Sequence, residues 1–415
     1  MPRHRSRRGS PAARRSGAAA SASAAAASAA AAADPVDRIA IAPRPGWPQT
    51  VADQGLIWHS EADRPYWDES GCYRFTLAEI EMIEAATEDV YRLFLAAGER
   101  IAGDRALMAR FGIPDWCMDA VAASWHDRPP ALDHGRFDFG YDGISAPALF
   151  EFNCDTPTAL LETAVIQWNW KEDVFPGHDQ FNSLHERLID AWRRVAGALP
   201  GGRLWFGHVA DEAHEDTITT TYLRELAETA GIETLGVVID DIGLDAAGRI
   251  VDGDDRLISA IFKLYPWEWI VAEPFGRDIV RHLPDTLWIE PIWKMIWSNK
   301  AILPVLWEMF PGHPNLLPAG FTAADAGPDH VIKPCLAREG ANIALVEGGR
   351  LRAQAGGGYD GPCIYQQLYR LRDFGRGYPV LGCWVVGGEA AGMGIREDGL
   401  ITGNTARFVP HIISG

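Results

Sequence analysis

The stretch RFDFGYDGISAPALFEFNCDTPTALLE, Arg136 to Glu162, limits what this chain can fold into more than any other. RFDFGYD and ALFEFNCD each alternate with period two, and Asp142-Gly143 between them is a turn signal. Residues i and i+2 of a strand share a face. Arg136 and Asp138 therefore point one way, with Phe137 and Phe139 opposite; Glu151 and Asn153 share a face, with Phe150 and Phe152 behind. Paired as a hairpin, the two segments bring four polar side chains together above an aromatic floor. Two carboxylates and an amide oxygen form a hard ligand set of the kind Mg²⁺ prefers, and a neighbouring arginine suits an anionic group. An amphipathic hairpin with one wet face and a surface ion pair satisfies the same spacing.

Further candidates follow in chain order. Asp155, Thr156 and Thr158 read as turn and N-cap residues opening a helix, either ordinary capping or an anion site at free N–H groups. Lys300 falls near a helix start and Lys333 on a strand end, where a lysine can reach phosphates. LAREGAN, Leu336 to Asn342, reads as a mobile flap over them, with Arg338 and Gly340 toward the nucleotide. CIYQQLY offers backbone groups around Tyr365 and Gln366 for an adenine edge, and Arg396 ends a strand. Singly each signal is weak, because lysines are usually solvated and glycines usually make turns; the order of the pieces carries the weight.

The rest of the chain sets bounds. Residues 1–36 form a basic tail rich in Arg, Ala and Ser, too poor in apolar area to offset ordering entropy, and are expected to be disordered. The formal charge is −18 overall and +5 over the first 38 residues, which leaves −23 on the body. An acidic body argues against nucleic acid and is compatible with a cationic partner or simply with solubility. Six cysteines without a C-x-x-C pair read as reduced, mostly buried thiols of a cytoplasmic protein. No membrane span is expected. Leu77–Ala102 and Phe181–Leu199 have helical periodicity. RLWFGHVA, TTTYLRELAETAG and IETLGVVID read as strand, helix and strand of a small parallel sheet. Beyond Asp329, short strands with glycine turns suggest mainly antiparallel sheet.

The segments FEFNCDTPTALLE, EPIWKMIWSNKAILPVLW, KPCLAREGAN and YPVLGCWVVGGEAAGMGIRED, in that order, resemble the synthetase domain of glutathionylspermidine synthase and its stand-alone acid–amine ligase relatives, from about residue 38 to the C-terminus. The resemblance implies an α/β (α+β) chain with a circularly permuted ATP-grasp fold and an associated pre-ATP-grasp α/β domain. It suggests a helical part over 37–200 that carries the metal hairpin, a small α/β substrate part over 201–290 and a nucleotide-binding part over 291–415. It also implies ATP and Mg²⁺ as cofactors, and an amide formed through an acyl phosphate from small-molecule acid and amine substrates. Glutathione-like and polyamine-like compounds are the family's pair. By motif, Asp138, Glu151 and Asn153 match magnesium ligands, and Arg136 matches the arginine facing the reacting carboxyl group. Lys300 and Lys333 match phosphate lysines, and Arg396 the arginine that neutralises the transferred phosphoryl group. Thr156 and Thr158 match positions near the thiol peptide, and Glu215 and Asp216 an acidic pair associated with the amine. Two departures stand out. Only the tail precedes the ligase region, so the amidase activity of bifunctional members is not expected, and REDGLITGNTARF lacks the lysine those members carry after the matching arginine. A homodimer is compatible with this reading. Two other readings are a non-catalytic ATP-binding regulatory protein, and a hydrolase using Asp138 and Glu151 as acid and base.

Overall fold

The aromatic alternation does produce a hairpin. In the computed structural model, which describes residues 35–61, 64–210, 215–359 and 361–414, strands His134–Gly140 and Ala148–Asn153 pair antiparallel, with Arg136 opposite Asn153 and Asp138 opposite Glu151. The hairpin is one side of a five-stranded antiparallel sheet. The other three strands, Tyr378–Val386, Glu389–Asp398 and Arg407–Phe408, come from the far end of the chain. Gly382 lies opposite Asp138, and a Cβ there would meet Arg136 Cδ at 2.7 Å. Absence of a side chain at 382 is thus what lets Arg136 lie flat across the neighbouring strand.

The floor is real, with one correction. Phe137 and Phe152 stack at 3.8 Å between ring centroids, and Phe94 meets both edge-on at 5.4 and 5.1 Å. Phe150 is not behind the hairpin with them. The pairing slips between Asp138 and Phe139, which leaves Phe139 opposite Leu149, so the extra residue of this bulge turns Phe150 toward the polar face. Phe94 belongs to helix Leu77–Ala102, which starts at a capping box of Thr76 and Glu79. Each fully buried phenylalanine here contributes about 1.5–3 kcal/mol, and the floor therefore fixes the height of the polar residues above it.

Two further sheets face the hairpin. One is antiparallel, in the order Ala319–Gly320, Cys363–Gln367, His330–Pro334, Ala344–Glu347, Arg350–Gln354. The other is the expected parallel sheet, in the order Leu287–Ile289, Ala260–Leu264, Arg203–His208, Glu233–Val238. The C-terminal region is mainly antiparallel as expected, and its last strand, His411–Ile413, runs parallel to Gly71–Phe75.

Sequence and structure differ at three other points. Val36, which composition puts in the tail, is buried and donates its N–H to Glu79 Oε1 at 2.9 Å; residues 1–34 lie outside the described residues. The second periodic helix runs Leu184–Ala196. Asp155 does not cap the helix that follows it: helical structure begins at Leu160, and the Asp155 oxygens instead accept from Lys263 and from the N–H of Trp267, which opens helix Trp267–Ala272. No helix among the described residues is long and apolar enough to cross a membrane, and all six cysteines are free thiols.

Candidate active site

The hairpin's polar face lines a cleft of about 510 Å³ that both other sheets border. The parallel sheet presents the carboxyl ends of its strands, through Val209, Leu264 and Pro266. That is where open α/β sheets place ligands. The antiparallel sheet contributes Val331, Lys333 and Gln366.

Within the cleft the charges interlock. Arg136 Nε donates to Asp138 Oδ1 at 2.8 Å, and its NH1 to the carbonyl of Thr158 at 2.7 Å. Arg396 NH2 donates to Asp138 Oδ2 at 2.6 Å. Across the hairpin, Lys300 Nζ lies 3.1 Å from Glu151 Oε2, and Asn153 Nδ2 donates to Glu151 Oε1 at 3.2 Å. Lys333 Nζ donates to Gln366 Oε1 at 2.7 Å and to the carbonyl of Phe150, on the bulge, at 3.0 Å. Four cationic side chains thus surround two carboxylates, a surplus of positive charge suited to a polyphosphate.

Burial and neighbours tune two of these groups strongly. Burial would raise the Glu151 carboxyl, but Lys300 and then Lys333 outweigh it and hold the group at about 2. Burial pulls the Lys333 ammonium down to about 8; Glu151 opposes that and Lys300 adds to it. Glu151 therefore stays ionised at any physiological pH, whereas Lys333 titrates within reach of it.

The oxygen set fits a hard divalent cation. Asp138 and Glu151 oppose each other in register, and the Asn153 amide lies against Glu151. Among the described residues no group of three or more His, Cys, Asp or Glu gathers as a metal cage. Two carboxylates and an amide suit Mg²⁺, which keeps part of its shell for water and phosphate, better than a closed zinc site.

The flap residues lie docked over this cleft. Arg338 NH1 donates to Thr156 Oγ1 at 2.6 Å and its NH2 to Glu268 Oε1 at 2.8 Å; the Ala337 carbonyl accepts from Lys300 Nζ at 2.5 Å. Gly340, at φ +72°, packs so closely on the Thr402 carbonyl that a Cβ would lie 2.6 Å from it. The Gln366 side chain spans Lys333 and the Leu149 carbonyl. Tyr365 does not face the cleft. It lies edge-on to His330, and its strand is paired on both sides, so the ladders occupy the backbone expected for an adenine edge. Gln367, Leu368 and Tyr369 line the cleft instead, with the Gln367 and Leu368 N–H groups already donating to the Pro318 and Asp329 carbonyls at 2.7 and 3.0 Å. Thr158 lines the cleft and acts through its carbonyl. Asp216 lines it at the start of helix Glu215–Thr229, while Glu215 and Arg396 both act electrostatically on the Tyr66 phenol.

Sequence reasoning missed three residues. Tyr66 donates to Glu162 Oε1 at 2.7 Å, and Glu162, buried near Arg136, is the first residue of the π-helical segment Glu162–Ile166. Burial raises the Glu162 carboxyl, with Tyr66 opposing. Glu268, which holds Arg338, follows a parallel strand end, and that position was the available signal. The motif residues Glu290 and Lys294 lie outside the cleft: Lys294 Nζ contacts Asp133 at 2.9 Å and Glu290 at 3.5 Å, an ion network fixing the start of the hairpin.

The family model described as "Glutathionylspermidine synthase preATP-grasp" matches residues 38–414. A Haemophilus influenzae protein named as an acid–amine ligase is 38% identical over 391 residues, covering 89% of this chain and 97% of that one. The bifunctional glutathionylspermidine synthetase/amidase of Escherichia coli is 31% identical over 351 residues, covering 77% of this chain and 55% of its own length. The chain thus spans about half of that bifunctional relative. A glutathione synthetase-like effector from Globodera pallida, solved in its apo form, superposes with a TM-score of 0.52 at 12% identity over 88% of this chain and 98% of that one; this likeness concerns the fold alone.

Proposed function

We propose, from the premise that this chain belongs to the glutathionylspermidine synthase family, that it is an ATP- and Mg²⁺-dependent ligase joining a glutathione-like peptide carboxylate to a polyamine-like amine. The one observation that carries the reading is the convergence of Arg136, Asp138, Glu151, Lys333 and Arg396, from distant parts of the chain, on one cleft, with Lys300 outside its lining but paired to Glu151.

Phosphoryl transfer needs positioning and charge neutralisation more than covalent help. Asp138, Glu151 and Asn153 would hold Mg²⁺, which would supply charge neutralisation for the phosphates. Lys300 and Lys333 hold the remaining phosphate charge. Arg396 exchanges its Asp138 partner for the transferring phosphoryl group. Arg136, pinned by Asp138 and the Thr158 carbonyl, faces the acid. A carboxylate oxygen attacks the γ-phosphorus, ADP leaves, and an acyl phosphate forms. An unprotonated amine then attacks the carbonyl carbon, the C–O bond to phosphate breaks, and phosphate leaves with loss of one proton from nitrogen. Asp216, which lines the cleft, and its neighbour Glu215 would hold a distal ammonium without touching the reacting nitrogen. The docked flap keeps water from the acyl phosphate.

The test is ADP release over a panel of acids and amines. Amine-dependent release with amide product is the expected result. Glu151→Gln should lower it about 10²–10³-fold while the chain stays folded by circular dichroism. Tight ATP binding without turnover on any pair would favour a regulatory nucleotide-binding protein instead.

A further inference from the structure

Glu268 takes no part in the chemistry proposed above, yet it is tied into the cleft. It stands in the first turn of helix Trp267–Ala272, directly after parallel strand Ala260–Leu264. That turn is anchored from below. Trp267 N donates to Asp155 Oδ2 at 2.8 Å, Asp155 Oδ1 pairs with the wholly buried Lys263 at 2.5 Å, and Trp267 Nε1 donates to the Glu290 carbonyl at 2.9 Å. Glu268 is therefore a fixed post. Arg338, the third residue of the flap, is gripped between this post and Thr156, which follows the hairpin.

The flap needs such a grip. Glu339, Gly340 and Asn342 all have left-handed backbone, at φ +53°, +72° and +56°. Glycine and asparagine tolerate that region, but Glu339 does not. The docked shape therefore runs against backbone preference at Glu339, and between the Lys300 bond to the Ala337 carbonyl and the Gly356 and Tyr359 bonds to Asn342 it is the Arg338 side chain that holds it. The grip also stops short of maximal strength. Arg338 and Glu268 share one N–H···O bond, which leaves Arg338 Nε and Glu268 Oε2 buried without hydrogen-bond partners. A single charge-assisted bond can release where a bidentate pair would hold.

We propose that Glu268 is a positioning residue that latches the flap over Thr156 through Arg338, and so sets the fraction of ATP turnover that ends as amide. The inference rests on the ligase reading for its consequence but not for its geometry. With the latch open, water replaces the amine as the nucleophile on the acyl phosphate. The products are then free carboxylate and phosphate, and ATP is hydrolysed with no amide formed.

Glu268→Gln keeps the shape and removes the charge. In the unliganded protein, amide hydrogen exchange over residues 338–342 should accelerate about tenfold. With substrates, amide formed per ADP should fall several-fold, and amine-independent ADP release should rise. Because Glu268 acts through Arg338, adding Glu268→Gln to Arg338→Gln should change neither readout further. Unchanged flap exchange in Glu268→Gln would overturn the latch, whatever the turnover. Faster exchange with unchanged amide per ADP would overturn its role in coupling. Faster exchange with no amide from any acid–amine pair would leave the latch standing and count against the ligase reading. Should Glu268→Gln fail to fold, Glu268→Asp, which keeps the charge but shortens the reach, is judged by the same two readouts.

Discussion

Lys333 links pH to this site most directly. Burial holds its ammonium near 8, against an unfolded value near 10.5. A triphosphate favours the charged form, so nucleotide affinity should weaken as pH rises through about 8, by at most about tenfold per unit. Stability of the unliganded chain should move the other way. Between about 8 and 10.5 the unfolded chain binds the proton that folded Lys333 has lost, so this residue's contribution rises with pH across that window and is lost as pH falls through 8. Nucleotide titrations and thermal melts from pH 7 to 9.5 at fixed Mg²⁺ should show opposite slopes. Lys333→Arg, which does not titrate there, should flatten the affinity profile. The site residues that were legible in the sequence are those whose chemistry repeats locally: Arg136, Asp138, Glu151 and Asn153 announce their face by period two. The bulge that turns Phe150, and the grip of Glu268 on Arg338, depend on partners that no local pattern encodes.

At the scale of elements, helix Leu77–Ala102 was legible to the residue, because its apolar stripe and its capping box both report in sequence. Gly98 inside it was not. Mid-helix glycine normally costs about 1 kcal/mol relative to alanine, so propensity alone predicts that Gly98→Ala stabilises. The structure reverses the sign. A Cβ at 98 would lie 2.0 Å from the Trp125 ring, and Trp125 packs edge-on against Trp293 at 5.2 Å in the aromatic cluster that also holds Trp297. Overpacking of a filled core costs about 1–3 kcal/mol, which exceeds the propensity gain. Gly98→Ala should therefore lower the midpoint of denaturant unfolding, with an unchanged slope. A raised midpoint would mean that the ring has room to move.

At the scale of the molecule, the expected division at residue 291 meets a sheet that ignores it. Strand Tyr378–Val386 pairs on one side with its hairpin partner Glu389–Asp398 and on the other with His134–Gly140, more than two hundred residues earlier. Buried Arg38 also binds Glu397 Oε2 at 2.6 Å, which ties the start of the fold to its last third. Sequence reading assigned the hairpin to one part and its partner strands to another because strand pairing at long separation leaves no local trace. The fragment 291–415 alone would expose one whole edge of Tyr378–Val386, an apolar strand buried along nearly all its length, and such edges aggregate. It would also lose Asp138, Glu151 and the Phe150 carbonyl that positions Lys333. We expect this fragment to be insoluble or unfolded and unable to bind nucleotide, and co-expression with residues 35–290 to restore a soluble complex that binds it. A monomeric, cooperatively melting 291–415 fragment with micromolar affinity for an ATP analogue would show instead that the nucleotide lobe closes its sheet without the hairpin.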